Sequence, residues 1–135
     1  MKRIENWERL LWEAIEAARL RPFAWGLHDC PTFAFDTRSR LIGGEDTASL
    51  WRGRYSTALG GARLMRKLGW TSLEAMGRAL LGAPHPSPLM AQRGDIVLAG
   101  NGAGFGVCAG SHAFGMAPEG LVSHPLTTCG HAWPV

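Results

Sequence analysis

The stretch Pro22-Phe-Ala-Trp-Gly-Leu-His-Asp-Cys-Pro-Thr-Phe33 leads from a short extended segment into a helix. Pro31 suits the first turn of a helix, because its missing N–H would be unpaired there in any case. Cys30 is therefore predicted to be the N-cap or a first-turn residue, where the helix dipole and the free backbone N–H groups favour a thiolate. Since a thiolate attacks carbonyl carbon atoms, Cys30 is a candidate nucleophile. A small, inert, buried hydrophobic residue is the equally weighted alternative.

Helical patterns lie on both sides of this stretch. The first is predicted from the spacing of Trp7, Leu11 and Ile15, with Asn6 as its N-cap and Pro22 as its end. The remaining predicted helices begin or end at cap, glycine or capping-box signals. They are a helix from Cys30 to Gly43-Gly44, a short helix capped by Asp46, a helix over Thr57–Leu68, and a helix that begins at the capping box Thr71-Ser72-Leu73-Glu74 and runs to about Leu81.

After Arg93-Gly94-Asp95 the apolar pattern changes to short extended segments separated by glycine-rich turns. Helices followed by antiparallel strands predict an α+β fold, with N-terminal helices packed on a small antiparallel sheet. The proline-rich run 82–88 is predicted to be a connector, because too little chain follows it for a second core. Residues 1–135 are therefore predicted to form a single domain. The predicted strands are Ile96–Ala99, Phe105–Ala109, His112–Met116, Leu121–His124 and His131–Val135.

Composition excludes several classes of protein. Hydrophobic residues make up 46% of the chain and charged residues 19%, which is typical of a soluble globular domain. No apolar run reaches the roughly 18–20 residues that span a bilayer, and Met-Lys-Arg followed by Glu5 and Glu8 contains no signal-peptide core, so we expect cytoplasmic synthesis without membrane insertion. The odd number of cysteines, three, predicts reduced thiols. The net charge of +3 comes from scattered basic residues, so nucleic-acid binding is not expected.

Two segments resemble the NlpC-like branch of the papain-type cysteine hydrolases. One is the aromatic-Gly segment 22–26 followed by Asp29-Cys30 and Phe33, and the other is Gly94-Asp95 at the start of a hydrophobic strand. A strand containing Phe105-Gly106-Val107 follows them in the order found in that family. The resemblance implies a single NlpC-like domain of papain-like fold, with Cys30 as the nucleophile and with Trp25 and Asp29 lining the cleft.

The resemblance also shows where the sequence departs from the active members. Their histidine base precedes the hydrophobic-Gly-hydrophobic run, and Gly104 occupies that place here. The third, orienting polar residue has no counterpart in the aligned stretch Ala113–Ala117. Among the five histidines, His112 is the candidate base, because it lies on the neighbouring predicted strand. The others are read as surface or satisfied core histidines: His28, His85, His124 and His131.

Metal ligation is the other use for histidine and cysteine side chains. Five of these residues fall in the last third of the chain, but none has the paired spacing typical of zinc sites. No metal and no other cofactor is therefore expected. The residues concerned are Cys108, His112, His124, Cys129 and His131.

A second resemblance is to short proteins encoded in the tail modules of phages, prophages and gene-transfer agents. The features that carry it are Trp-Gly-x-x-Asp-Cys, Trp51-Arg-Gly-Arg-Tyr55, Gly61-Ala62, Leu68-Gly69, Gly94-Asp95 and Ala132-Trp133-Pro-Val135. It implies a structural or assembly protein near the hub of a tail tip, with a degenerate active site, made in the host cytoplasm and assembled into the virion tail beside other tail-tip proteins. Two alternatives stay open. One is a peptidoglycan-cleaving cysteine endopeptidase or amidase, and the other is a non-hydrolytic module that binds a peptide or a glycan stem.

Tryptophan usage suggests where partners would bind. The chain has six tryptophans, and Trp7 and Trp12 lie on different faces of the first predicted helix. Trp133 lies two residues from the C-terminus, where chains fray unless something holds them. We therefore expect Trp12 and Trp133 to be exposed and to contact another protein of the assembly.

Overall fold

The computed structural model describes residues 2–135, in which four α-helices precede a five-stranded antiparallel sheet. The predicted α+β class is therefore confirmed, and each predicted strand overlaps an observed one. No helix within the described residues is long and apolar enough to cross a membrane. The helices are α1 (Trp7–Leu20), α2 (Cys30–Ile42), α3 (Ala58–Lys67) and α4 (Leu73–Leu81), with 3-10 turns at Thr47–Leu50, Pro88–Met90 and Leu126–Thr128. The strands are β1 (Ile96–Ala99), β2 (Phe105–Cys108), β3 (His112–Ala117), β4 (Gly120–Pro125) and β5 (Cys129–Trp133).

The sheet has the order β4-β3-β2-β1-β5, and each neighbouring pair is antiparallel. Alternate residues of each strand point to opposite faces. One face packs on the helices, chiefly α2, and supplies most of the core. The opposite face carries small side chains, and a second apolar cluster forms there around Val97, Cys108, Ala113, Leu126 and Ala132. The helices therefore cover one side of the sheet and leave much of the other side open.

Aromatic side chains link the helices to the sheet. Phe35 makes edge contacts with Trp51 and with Phe105, each with ring centroids 5.5 Å apart. Trp133 follows Phe105 at 6.2 Å and is fully buried, and its indole N–H donates to the carbonyl of Gly82 at 3.0 Å. The expectation that Trp133 is exposed for partner contact is wrong, because pairing of β5 with β1 draws the C-terminus into the core.

Three predicted caps differ in detail from the structure. Asn6 precedes α1 in a left-handed conformation (φ 64°) and its side chain makes no capping hydrogen bond. Ser72, and not Thr71, caps α4 by accepting from the backbone N–H of Ala75 at 3.0 Å. The carboxylate of Asp46 pairs with Arg52 and does not cap the short helix that follows it.

The buried carboxylate of Asp95 ties both ends of the described chain to the sheet. It accepts hydrogen bonds from the guanidinium of Arg3, the backbone N–H of Val135 and the backbone N–H of Gln92, each at 2.9–3.0 Å. His85 Nε2 lies 3.0 Å from Oδ2, the carboxylate oxygen that also accepts from Gln92. The Gly-Asp motif therefore fixes the start of β1 through contacts from three separate parts of the chain.

Candidate functional site

Asp29 organises the loop that leads into α2. Its Oδ1 accepts from the backbone N–H of Thr32 at 3.2 Å and from the hydroxyl of Thr32 at 2.6 Å, so Asp29 is the N-cap. Its Oδ2 accepts from the backbone N–H of Gly26 at 2.9 Å and from the hydroxyl of Tyr55. Asp29 is 1% exposed. The carboxylate is therefore enclosed by donors and does not line the cleft, contrary to the expected position.

The segment Trp51–Tyr55 packs against the same loop and forms hydrogen bonds with it. The indole N–H of Trp51 donates to the hydroxyl of Thr32 at 3.1 Å, and Gly53 donates its backbone N–H to the carbonyl of Gly26 at 3.0 Å. Gly26 has φ +80°, and a Cβ there would lie 2.2 Å from the carbonyl oxygen of Tyr55. Burial and the neighbouring Asp29 raise the pKa of Tyr55, so its phenol remains a protonated donor. Only glycine fits at position 26, which explains its place in the motif.

Cys30 is the first residue of α2, as predicted from Pro31. It is half-buried and lines an open cavity of about 340 Å³ that extends across the uncovered face of the sheet. Phe23 and Trp25 also line the cavity, and their rings meet edge to face with centroids 4.7 Å apart. Trp25 therefore lines the cleft, as the resemblance implies. The thiol is positioned where a bound molecule would reach it.

Gly104 lies directly against the Cys30 thiol. A Cβ built on Gly104 would be 3.5 Å from Cys30 Sγ and 3.6 Å from Cys30 Cβ, which is ordinary van der Waals contact. A side chain at position 104 would thus project beside the sulfur. The residue that aligns with the missing histidine is therefore the one that faces the cysteine, and it has no side chain.

The thiol itself is not activated. Burial raises the pKa of Cys30 from its ordinary value of 9.0 to about 12, a hydrogen bond from the backbone of Phe105 opposes this increase, and the negative charge of Asp29 adds to it. Cys30 therefore carries its proton at neutral pH. This effect of burial opposes the preference for a thiolate that the position at the helix start predicts.

The strand register separates His112 from Cys30. The backbone N–H of Ala109 bonds to the carbonyl of His112 at 2.8 Å, so these two residues face each other across β2 and β3. Ala109 is five positions beyond Gly104, which corresponds to roughly 16 Å along a strand. His112 is exposed, and its Nδ1 lies 3.0 Å from the hydroxyl of Ser111. The structure does not bring the candidate base to the candidate nucleophile.

His124 lines the same cavity as Cys30 but belongs to its far end. It pairs with Ala113, four residues from Ala117 on β3, and Ala117 is next to Gly104 by extension of the β2–β3 register. That offset is about 13 Å along the strand. The other three histidines have separate partners: His28 contacts the carbonyl of Pro22, His85 contacts Asp95, and His131 stacks on Trp133.

The cavity is mainly apolar. Its floor is the bare backbone of Gly106 and Gly115, which are neighbours on β2 and β3, and alanine and valine side chains surround them. Apart from the thiols of Cys30 and Cys129, the described lining contains one ionisable side chain, that of His124. Within residues 2–135, no group of three or more His, Cys, Asp or Glu residues is arranged to hold a metal ion. The arrangement is suited to an uncharged apolar ligand.

Sequence reasoning assigned no role to Thr32 and Tyr55, which hold Asp29 in place. Thr32 belongs to the stretch Pro22–Phe33 that leads into α2, and Tyr55 ends the segment Trp51–Tyr55. The i, i+3 spacing of Asp29 and Thr32 is a capping signal that predicts the first contact. The contact with Tyr55 joins residues 26 positions apart and has no local signal.

Fold and site together define the chain as an α+β domain in which a cysteine at a helix start opens on an apolar cleft, beside a strand that supplies no base. The chain belongs to the family described as Domain of unknown function (DUF6950), whose family model matches residues 2–135. No curated protein and no solved structure matches the chain.

Proposed function

We propose that this protein is a non-hydrolytic structural or assembly component of a phage-type tail tip, near the hub, built on an NlpC-like hydrolase fold. The observation that supports the loss of hydrolysis is the contact between the Cys30 sulfur and Gly104. The tail location rests on the resemblance of the whole motif pattern to tail-module proteins.

Cysteine hydrolysis requires a base within about 2.6–3.2 Å of the thiol proton or linked to it through one water. Glycine at position 104 accepts no proton through a side chain, and the raised pKa keeps the Cys30 thiol neutral. The motif residues that the chain retains have a structural role, because Gly26 and Asp29 stabilise the loop at the start of α2 through hydrogen bonds. Their presence therefore requires no catalytic role.

The alternative, a peptidoglycan-cleaving cysteine endopeptidase or amidase, is favoured by one feature: Cys30 begins a helix and lines an open cavity. The chemistry of the cavity weighs against it. Peptidoglycan stem peptides carry carboxylates, which proteins usually bind with Arg or Lys. The described lining of the cavity includes neither residue type.

Trp12 is the side chain that we propose to contact another tail-tip protein. It is 59% exposed on α1, although a large aromatic residue is usually buried or at an interface. Exposed ion pairs, Arg9 with Glu13 and Arg19 with Glu16, lie on the same helix and would form a polar rim. Because Trp133 is buried in the core, α1 is the one surface that we propose for contact with another tail-tip protein.

The experiment separates catalysis from assembly. Purified wild-type protein and the Cys30→Ala variant are incubated with peptidoglycan, and released fragments are measured by mass spectrometry; we expect equal, background release from both. Cleavage by the wild type that is lost in Cys30→Ala would overturn the non-hydrolytic assignment. Separately, purified tails are probed for the protein with an antibody. Its absence from intact tails would exclude the structural role even if the cleft proves inactive.

A further inference from the structure

The helix α3 has a basic outward face. It buries Gly61 and Leu64 against the rest of the protein. Its long exposed side chains recur at intervals of three or four residues, so they share the opposite face of the helix. These side chains form the basic face of α3: Leu59, Arg63, Arg66 and Lys67.

The chain itself does not neutralise the cations of the basic face. Within residues 2–135, no ion pair to any of them is found. The sequence has no Asp or Glu between Asp46 and Glu74. Both of these carboxylates already pair with other side chains, Asp46 with Arg52 and Glu74 with Arg78. The basic face therefore offers its positive charges to an anionic partner.

A leucine lies among these charges. Leu59 is 60% exposed. Viewed down the helix axis, Arg66 lies about 20° to one side of it and Arg63 about 40° to the other. Nucleic-acid phosphates are usually contacted by neutral polar side chains as well as by Arg and Lys, and α3 contains no Ser, Thr, Asn, Gln or Tyr. A bilayer surface, with acyl chains beneath a layer of phosphates, matches both the charges and the leucine.

We propose that the basic face of α3 binds the surface of a bilayer that contains anionic phospholipids. Leu59 enters the boundary between headgroups and acyl chains, and the flexible basic side chains carry their charges to the lipid phosphates. Gly61 and Leu64 stay packed, so α3 binds without leaving the domain. Each basic residue near such a surface strengthens binding about fivefold, so three strengthen it about a hundredfold. This inference is independent of the proposed function.

Cosedimentation of the full chain with lipid vesicles measures this binding. We expect vesicles of phosphatidylglycerol mixed with phosphatidylcholine to bind the protein at least about fiftyfold more tightly than vesicles of phosphatidylcholine alone. Added salt should weaken the binding, because it screens the charges. Absence of binding to the anionic vesicles at low salt, or equal binding to both kinds of vesicle, overturns the proposal.

Charge variants test whether α3 is the bound surface. Arg63→Gln, Arg66→Gln and Lys67→Gln should each lower the affinity for anionic vesicles about fivefold, and the triple variant about a hundredfold, with folding confirmed by circular dichroism. Arg9→Gln is the matched control, because it removes one exposed charge from α1, and it should change the affinity less than about twofold. Since the chain has a net charge of +3, this control separates a defined surface from general attraction. An equal loss in Arg9→Gln overturns the assignment to α3.

The leucine distinguishes a bilayer from other anionic partners. Leu59→Ser should lower the affinity for anionic vesicles at least about fivefold, because burial of the apolar side chain is lost. A DNA duplex is the competing probe. Tighter binding to the duplex than to the vesicles, with no effect of Leu59→Ser, overturns the proposal in favour of nucleic acid. Binding of an acidic protein through the basic face, without binding to vesicles, overturns it in favour of a protein partner.

Discussion

Cys30 should react far more slowly with iodoacetamide in the folded protein than in the unfolded chain. Burial raises the pKa of this thiol from 9.0 to about 12 in the folded state. Deprotonation therefore requires a higher pH in the folded chain, and near pH 8 about one thiol in ten thousand is ionised, compared with about one in ten in the unfolded chain. A more basic thiolate is intrinsically more nucleophilic, which offsets about a factor of 20. The net decrease in rate at pH 8 is between about 50-fold and 1000-fold.

The assay is timed alkylation of native and urea-unfolded protein, followed by quantification of the Cys30 peptide by mass spectrometry. Cys129 is half-buried and lines the same cavity, so its peptide provides an internal comparison for access of the reagent. In the folded protein, the Cys30 rate should rise about tenfold per pH unit, without a plateau, up to pH 10. A plateau below pH 8, or a native rate equal to the unfolded rate, would show an activated thiolate and refute the reasoning.

Three further predictions concern stability and assembly. Asp29→Ala leaves buried N–H donors unpaired and removes a helix cap, so chemical denaturation should show an unfolding free energy lower by about 3–5 kcal/mol. The control Asp46→Ala, at an exposed ion pair, should lower it by less than about 1 kcal/mol. Equal losses in the two variants would contradict the structural role of Asp29 in the loop before α2. Gly77→Ala places a Cβ 2.6 Å from the ring of Trp133, so it should lower the unfolding free energy by about 1–3 kcal/mol. An unchanged free energy of unfolding would mean that the side chains around position 77 move apart at no cost. Trp12→Ser should change the unfolding free energy, followed by circular dichroism, by less than about 1 kcal/mol, because Trp12 is exposed. The same variant should be incorporated into purified tails less than the wild type. Normal incorporation would show that α1 is not part of the proposed interface.

Adding the missing base gives a gain-of-function test. Gly104→His places its Cβ in ordinary contact with the Cys30 sulfur, so the substitution fits without a backbone clash at that atom. An imidazole there should lower the pKa of the thiol and speed alkylation of Cys30 at pH 8 by at least about tenfold. Gly104→Ala is the control for side-chain volume. Equal alkylation rates of Cys30 in the two variants would mean that a side chain at position 104 does not interact with the thiol.

The sequence alone determined the order of elements and the start of α2. Pro31 is a local signal, and a helix start depends on backbone groups within one turn. The change from helical to extended periodicity after Gly94-Asp95 likewise determined the α+β class, because patterns of burial repeat at 3.6 or 2 residues.

Tertiary structure decided the chemistry of the site and the fate of the C-terminus. The pKa of Cys30 depends on how much water the surrounding loops remove, and no local pattern encodes that burial. The distance from His112 to the thiol depends on the register of β2 and β3, and one residue of slip would turn every side chain to the other face. Trp133 looked exposed because it is terminal, yet the pairing of β5 with β1 and the space left by Gly77 bury it completely. Contacts between residues far apart in the chain form only when the whole core assembles, so local sequence cannot predict them.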